Sequence, residues 1–196
     1  MKKILVSTLF LALLFVGGCV IKKEVPENKP PEVVAPIVTE PEQKTMRVKI
    51  YFNNTKLNPN SEDCSKVFLV DRLVLKTETP AVTTLQELFK GPNEGEKNQG
   101  YTSWFSDKTQ DILKSLKVVE GTAYVNLKDV REIIPNASAS CGSAQFLAEV
   151  ETTLKQYSAV KTVIFAIEGK PETFYEWLQI GCSTENNICD EAPFKI

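Results

Sequence analysis

The sequence predicts an α+β domain: a single small sheet of four to five strands, with two amphipathic helices on one face. Three observations carry that expectation. Apolar residues recur at three- and four-residue spacing in two stretches, Val82, Leu85, Leu88 and Phe89, then Leu147, Val150, Leu154 and Tyr157, which is the period of a helix with one buried face. Val48, Ile50 and Phe52 alternate with Arg47, Lys49 and Tyr51, as in a half-buried strand. Glu120-Gly121 separates two alternating runs, where a two-residue turn closes a hairpin. The order strand, strand, helix, hairpin, helix, strand then places strands in one layer and helices in another.

The chain opens on Lys2 and Lys3, an apolar run from Ile4 to Val16, and the small pair Gly17-Gly18, the order of a secretion signal. That run is 13 residues, short of the roughly 20 a spanning helix needs. Residues 1–18 therefore read as a cleaved leader. Val16, Gly17, Gly18 and Cys19 resemble the bacterial lipobox, usually written Leu-Ala-Gly-Cys. The resemblance implies cleavage before Cys19, a diacylglyceryl thioether on its sulfur and usually acylation of the new amine. Two or three chains make a stable anchor where one holds only marginally, so the mature protein is expected to sit on a bacterial membrane, on its extracytoplasmic side, without crossing it.

Loss of Lys2 and Lys3 takes the formal charge from −2 to −4, which argues against nucleic acid as a partner because phosphate binding needs a basic surface. The chain contains no histidine. Imidazole-based metal sites and Ser-His or Cys-His nucleophilic systems are therefore absent.

With Cys19 lipidated, Cys64, Cys141, Cys182 and Cys189 remain, an even number in an exported protein that reads as two disulfides with three pairings open. Cys182 and Cys189 enclose the turn-prone Asn186-Asn187, so that pair is expected to close on itself and leave Cys64 to Cys141. A four-cysteine zinc site would need closely paired ligands, and no metal is expected.

Residues 19–45 form a tether. Pro26, Pro30, Pro31, Pro36 and Pro41 stand among charged and small aliphatic residues, a composition that extends without folding. The domain follows over 46–196, beginning with the strand Arg47 to Asn53 and a loop to Lys66. Val67 to Lys76 is mostly apolar and is expected to be a central strand, with Asp71 and Arg72 as a solvated edge or an ion pair. Thr79-Pro80 starts a helix and Gly91-Pro92 stops it. Pro92 to Ser106 is a polar loop that turns aromatic at Tyr101, Trp104 and Phe105. Asp111 to Glu120 and Thr122 to Asn126 form the hairpin, and Leu127 to Gly142 is a loop with one helical turn at Val130 to Ile134. Ser143 to Tyr157 is the second amphipathic helix, with Glu149, Glu151 and Lys155 away from its apolar face. Thr162 to Glu168 is the last strand, stopped by Gly169-Lys170-Pro171, and Phe174, Tyr175 and Trp177 cap the core before the small disulfide loop.

Several landmarks together resemble the GerMN domain, a family named for a sporulation and spore germination protein. They are Val48-x-Ile50-Tyr51-Phe52, Arg72-x-Val74, Pro80-Ala81 leading into Leu85-Gln86-Glu87-Leu88-Phe89-Lys90-Gly91-Pro92, and Glu96 with Gly100. Leu116-x-Val118-x-x-Glu120-Gly121-x-Ala123-x-Val125 resembles the family's hairpin, and Thr152-x-x-x-Gln156-Tyr157-x-x-Val160-x-x-Val163 its second helix and last strand. The resemblance implies a fold similar to ring-building motifs, found in exported lipoproteins and envelope assemblies, that binds protein neighbours and carries no established catalytic residue. This chain departs from the pattern at Ser106, where a proline commonly follows Phe105, and adds the cysteines and the tail after Gly169.

The expected function is that of a non-catalytic interaction domain, lipid-anchored through Cys19, with an envelope protein as partner and no cofactor. Tyr101, Trp104 and Phe105, three aromatics in one polar loop, could instead stack on a glycan or small ligand. Enzymatic chemistry has little support: Glu94, Glu96, Asp107 and Asp111 read as solvated charge, and Ser140-Cys141 lacks a histidine to activate it.

Overall fold

The structure is a computed structural model that describes residues 44–139, 141–183 and 188–195. The leader, Cys19 and the tether up to residue 43 lie outside the described residues.

Strand β1 (Thr45–Asn54) pairs antiparallel with β2 (Phe68–Leu75) along its length and with the short β3 (Tyr101–Thr102) at its far end. A second sheet has the order β4 (Leu113–Val119), β5 (Thr122–Leu127), β6 (Thr162–Ile167), with β6 parallel to the central β5. Glu120 and Gly121 both have positive φ, 49° and 85°, as the turn matching the strand twist requires. Among the described residues the α-helices are α1 (Pro80–Phe89), α2 (Glu94–Asn98), α3 (Gly142–Lys155) and α4 (Pro171–Trp177).

The α+β class is thus observed, with two three-stranded sheets instead of one. The reason lies at the edge of β1 away from β2. Helix α3 runs along that edge, and its side chains occupy the backbone groups that another strand would have used. A second correction concerns β2, which is an edge strand and not a central one. Val70 alone on it is buried, while Leu69, Leu73 and Leu75 stand on the outer face.

The core gathers Val48, Ile50 and Phe52 of β1, Leu85, Leu88 and Phe89 of α1, and Val125 and Leu127 of β5 around α3. Phe146 of α3 is its hub, with ring centroids 5.1 Å from Phe105, 5.8 Å from Phe174 and 5.4 Å from Trp177. Among the described residues no helix is long and apolar enough to cross a membrane.

Candidate functional site

Glu149, Thr153 and Gln156 follow one another along α3 at helical spacing and meet alternate residues of β1. The backbone N–H of Asn53 and that of Tyr51 donate to Glu149 Oε1 and Thr153 Oγ1, at 3.3 and 3.2 Å, while Gln156 Nε2 donates to the Lys49 carbonyl at 2.7 Å. One helical turn and two strand residues advance by similar lengths, about 5.4 and 6.7 Å, so the helix side chains stay in step with the strand. This polar stripe satisfies an edge that would otherwise be unpaired.

Glu149, like Thr153, is fully buried, although helical periodicity puts it off the apolar face. Its Oε1 also takes the Asn53 Nδ2 at 2.6 Å, and its Oε2 takes the Ser103 hydroxyl at 2.5 Å. Burial pushes its carboxyl up to about 8, against the opposing pull of the Ser103 and Asn53 hydrogen bonds. The group is therefore neutral at pH 7. Desolvation governs this carboxyl; the residues supply hydrogen-bond donors but no cation to offset it.

Beside it lies a cleft of about 170 Å³ lined by Asn53, Thr102, Ser103, Trp104 and Gln145. Trp104 is half-buried and lines it, and its Nε1 is buried without an acceptor. Among the described residues neither the Thr102 hydroxyl nor the Gln145 side-chain amide has a protein partner, so polar groups converge on this cleft uncommitted. The three aromatics adjacent in sequence are split apart here. Phe105 is 2% exposed and packs on Phe89 and Phe146, so it belongs to the core and to no exposed platform. Tyr101 donates its hydroxyl to the Leu69 carbonyl at 2.9 Å, across to β2. Trp104 alone remains at the cleft.

Arg72 is the second polar centre. Its Nε and Nη2 donate to the two Glu96 carboxylate oxygens at 3.1 and 2.6 Å, its Nη1 and Nη2 to the carbonyls of Glu87 and Gly91 at 2.8 and 2.7 Å, and its guanidinium covers the Phe52 ring. The ion-pair reading of Arg72 is the observed one. Glu96 reads as solvated charge in the sequence, yet it is 8% exposed. Asn93 and Glu96 cap α2 reciprocally, and that Asn-x-x-Glu spacing is a sequence signal for the helix start which a polar-loop reading of the stretch misses. A depression of about 430 Å³ adjoins this clamp, but its lysines are tied up locally, Lys90 with Glu87 and Lys97 with Glu94. Gly91 permits the arrangement: at φ 71°, a Cβ there would meet the Phe105 carbonyl oxygen at 2.1 Å.

Cys64 pairs with Cys141, pinning the first residue before α3 to the loop after β1, and Cys182 pairs with Cys189. Glu94, Asp107 and Asp111 are exposed, and Ser140 lies outside the described residues. No cluster of three or more His, Cys, Asp or Glu suited to a metal occurs among the described residues.

The sequence profile of the Germane family, described as sporulation and spore germination, matches residues 49–173. No curated protein matches the chain. Among solved structures, the tandem GerMN domains of the sporulation protein GerM from Bacillus subtilis align at 17% identity and a TM-score of 0.45, covering 69% of this chain and 43% of that one. The first GerMN domain of the same protein aligns at 15% identity and a TM-score of 0.35, over 63% and 84% of the two chains. A crystallised Clostridium perfringens protein, provisionally named a lipoprotein, aligns at 19% identity and a TM-score of 0.38, over 63% and 75%.

Proposed function

The chain belongs to the Germane family of sporulation and spore germination domains, and from that premise we propose that it is a lipoprotein presenting a non-catalytic, protein-binding GerMN domain in the cell envelope. Residues 1–18 are its leader, Cys19 carries the lipid, residues 19–45 are the tether and 46–196 the presented domain.

The observation that carries the non-catalytic reading is the commitment of the buried charged and carboxylic groups. Arg72, Glu96 and Glu149 each spend their hydrogen-bonding capacity joining one element of the fold to another. A catalytic acid or base must reach substrate, and these reach only the fold. The basic start, short apolar run and small residues before Cys19 support the anchor. Crosslinking in the native cell, with mass spectrometric identification of the captured chains, tests the reading. Reproducible capture of one envelope protein is expected, and capture of none counts against it.

A second reading has the cleft at Trp104 in its favour. The uncommitted Thr102 hydroxyl and Gln145 amide beside a half-buried indole suit a small polyhydroxyl ligand such as a glycan unit. Soluble cell-wall glycan fragments should then shift the tryptophan spectrum, and Trp104→Ala should remove that shift with stability unchanged. The absence of any shift removes this reading.

A further inference from the structure

The outer face of the β1–β2 ribbon carries a surface that neither the fold nor the cleft uses. Leu69, Leu73 and Leu75 are 41%, 64% and 57% exposed, on alternate positions of the edge strand β2. Across the register, Arg47 stands opposite Leu73, Lys49 opposite Asp71, and Thr45 opposite Leu75. Lys44 and Lys76 extend the same end, joined by the Lys76 N–H donating to the Lys44 carbonyl at 2.9 Å. All four cations are exposed, and among the described residues none of them forms a salt bridge. A chain that is acidic overall thus sets Arg47 and Lys49 with the three leucines on the outer face of the ribbon and Lys44 and Lys76 at its adjoining end, with Asp71 and Glu78 as the local acids. That face lies where the chain continues toward residue 43 and Cys19.

We propose that this face docks on the anionic headgroup layer of the membrane, with lipid phosphates taking Lys44, Arg47, Lys49 and Lys76 while Leu69, Leu73 and Leu75 enter the headgroup boundary. Amphipathic surfaces with basic residues beside apolar ones bind lipid in this manner. Charge complementarity selects this occupant over a second copy of the chain, since a face-to-face pair would set the same cations against one another. The proposal rests on the lipid-anchor reading for its effect in the cell. A tethered domain meets the surface at high effective concentration, so weak contacts suffice to lay it down.

The test uses the mature chain from residue 19, oxidised, with Cys19→Ser so that no lipid is attached. It is sedimented with vesicles of equal parts phosphatidylglycerol and phosphatidylcholine, and with vesicles of phosphatidylcholine alone. Binding to the anionic vesicles only, weakening with added salt, is expected. Arg47→Gln with Lys49→Gln should lower the partition coefficient about 25-fold, roughly fivefold for each cation, and Leu73→Ser should lower it independently while circular dichroism stays unchanged. Equal binding to both vesicles, no binding to either, an unchanged affinity in the double variant, or self-association through this face would each overturn the proposal. A wild-type chain recovered from cells without lipid on Cys19 would overturn the anchor reading instead, whatever the vesicles show.

Discussion

Replacing Glu149 by glutamine removes an ionisation that the fold suppresses, and the consequence depends on pH in a calculable way. Burial raises this carboxyl from its ordinary 4.5 to about 8. Below pH 4.5 both folded and unfolded chains hold the proton. Between 4.5 and 8 the unfolded chain has lost it and the folded chain keeps it, so stability falls as pH rises, by about 1.4 kcal/mol per pH unit. The fall levels off above pH 8 and sums to roughly 4 to 5 kcal/mol, a large share of the 5–15 kcal/mol that holds a typical domain together. Glutamine has the same shape, keeps an oxygen for the Asn53 donors, and presents an N–H to the Ser103 oxygen. Urea unfolding of both proteins at matched pH cancels the contributions of all other groups. At pH 5 the two should agree within about 1 kcal/mol, whereas at pH 8 Glu149→Gln should be the more stable by about 3 kcal/mol or more. Parallel stability curves from pH 5 to 8 would refute the account of Glu149 as a neutral bridge between α3 and β1.

Arg72→Ala leaves the buried Glu96 carboxylate without its partner and should cost about 3–5 kcal/mol, read as a shift in the urea midpoint; a loss below 1 kcal/mol would show that the clamp is ornamental. Gly91→Ala combines a left-handed φ with a backbone overlap and should cost at least about 2 kcal/mol by the same measurement. Breaking Cys64–Cys141 by paired serine substitution opens a loop of 77 residues and should cost about 4 kcal/mol, against about 2 for Cys182–Cys189.

Features set by near neighbours along the chain are legible in its sequence. Pro80 and Gly91-Pro92 bound α1 closely, and Glu120-Gly121 places the hairpin turn, because φ preferences act within a few residues. Features set by distant neighbours are less so. Glu149 reads as surface in a helical projection, and only the unpaired edge of β1, nearly a hundred residues away, gives a carboxyl reason to be buried there. Glu96 is drawn inward by Arg72 on another element, although the Asn93-x-x-Glu96 spacing does mark the helix. The leucines of β2 suggest a central strand, since apolar content alone does not separate burial from an exposed apolar face. Phe105 groups with Trp104 by adjacency, yet the chain turns between them and only one reaches the cleft.

The central claim, a GerMN domain held at a membrane by Cys19, is tested most directly on the N-terminal tryptic peptide of the protein isolated from its native membrane fraction. The account predicts a peptide running from Cys19 to Lys22 and heavier than its bare sequence by a diacylglyceryl group, with or without a further acyl chain. A free thiol at Cys19, or a mature chain beginning elsewhere, would contradict it.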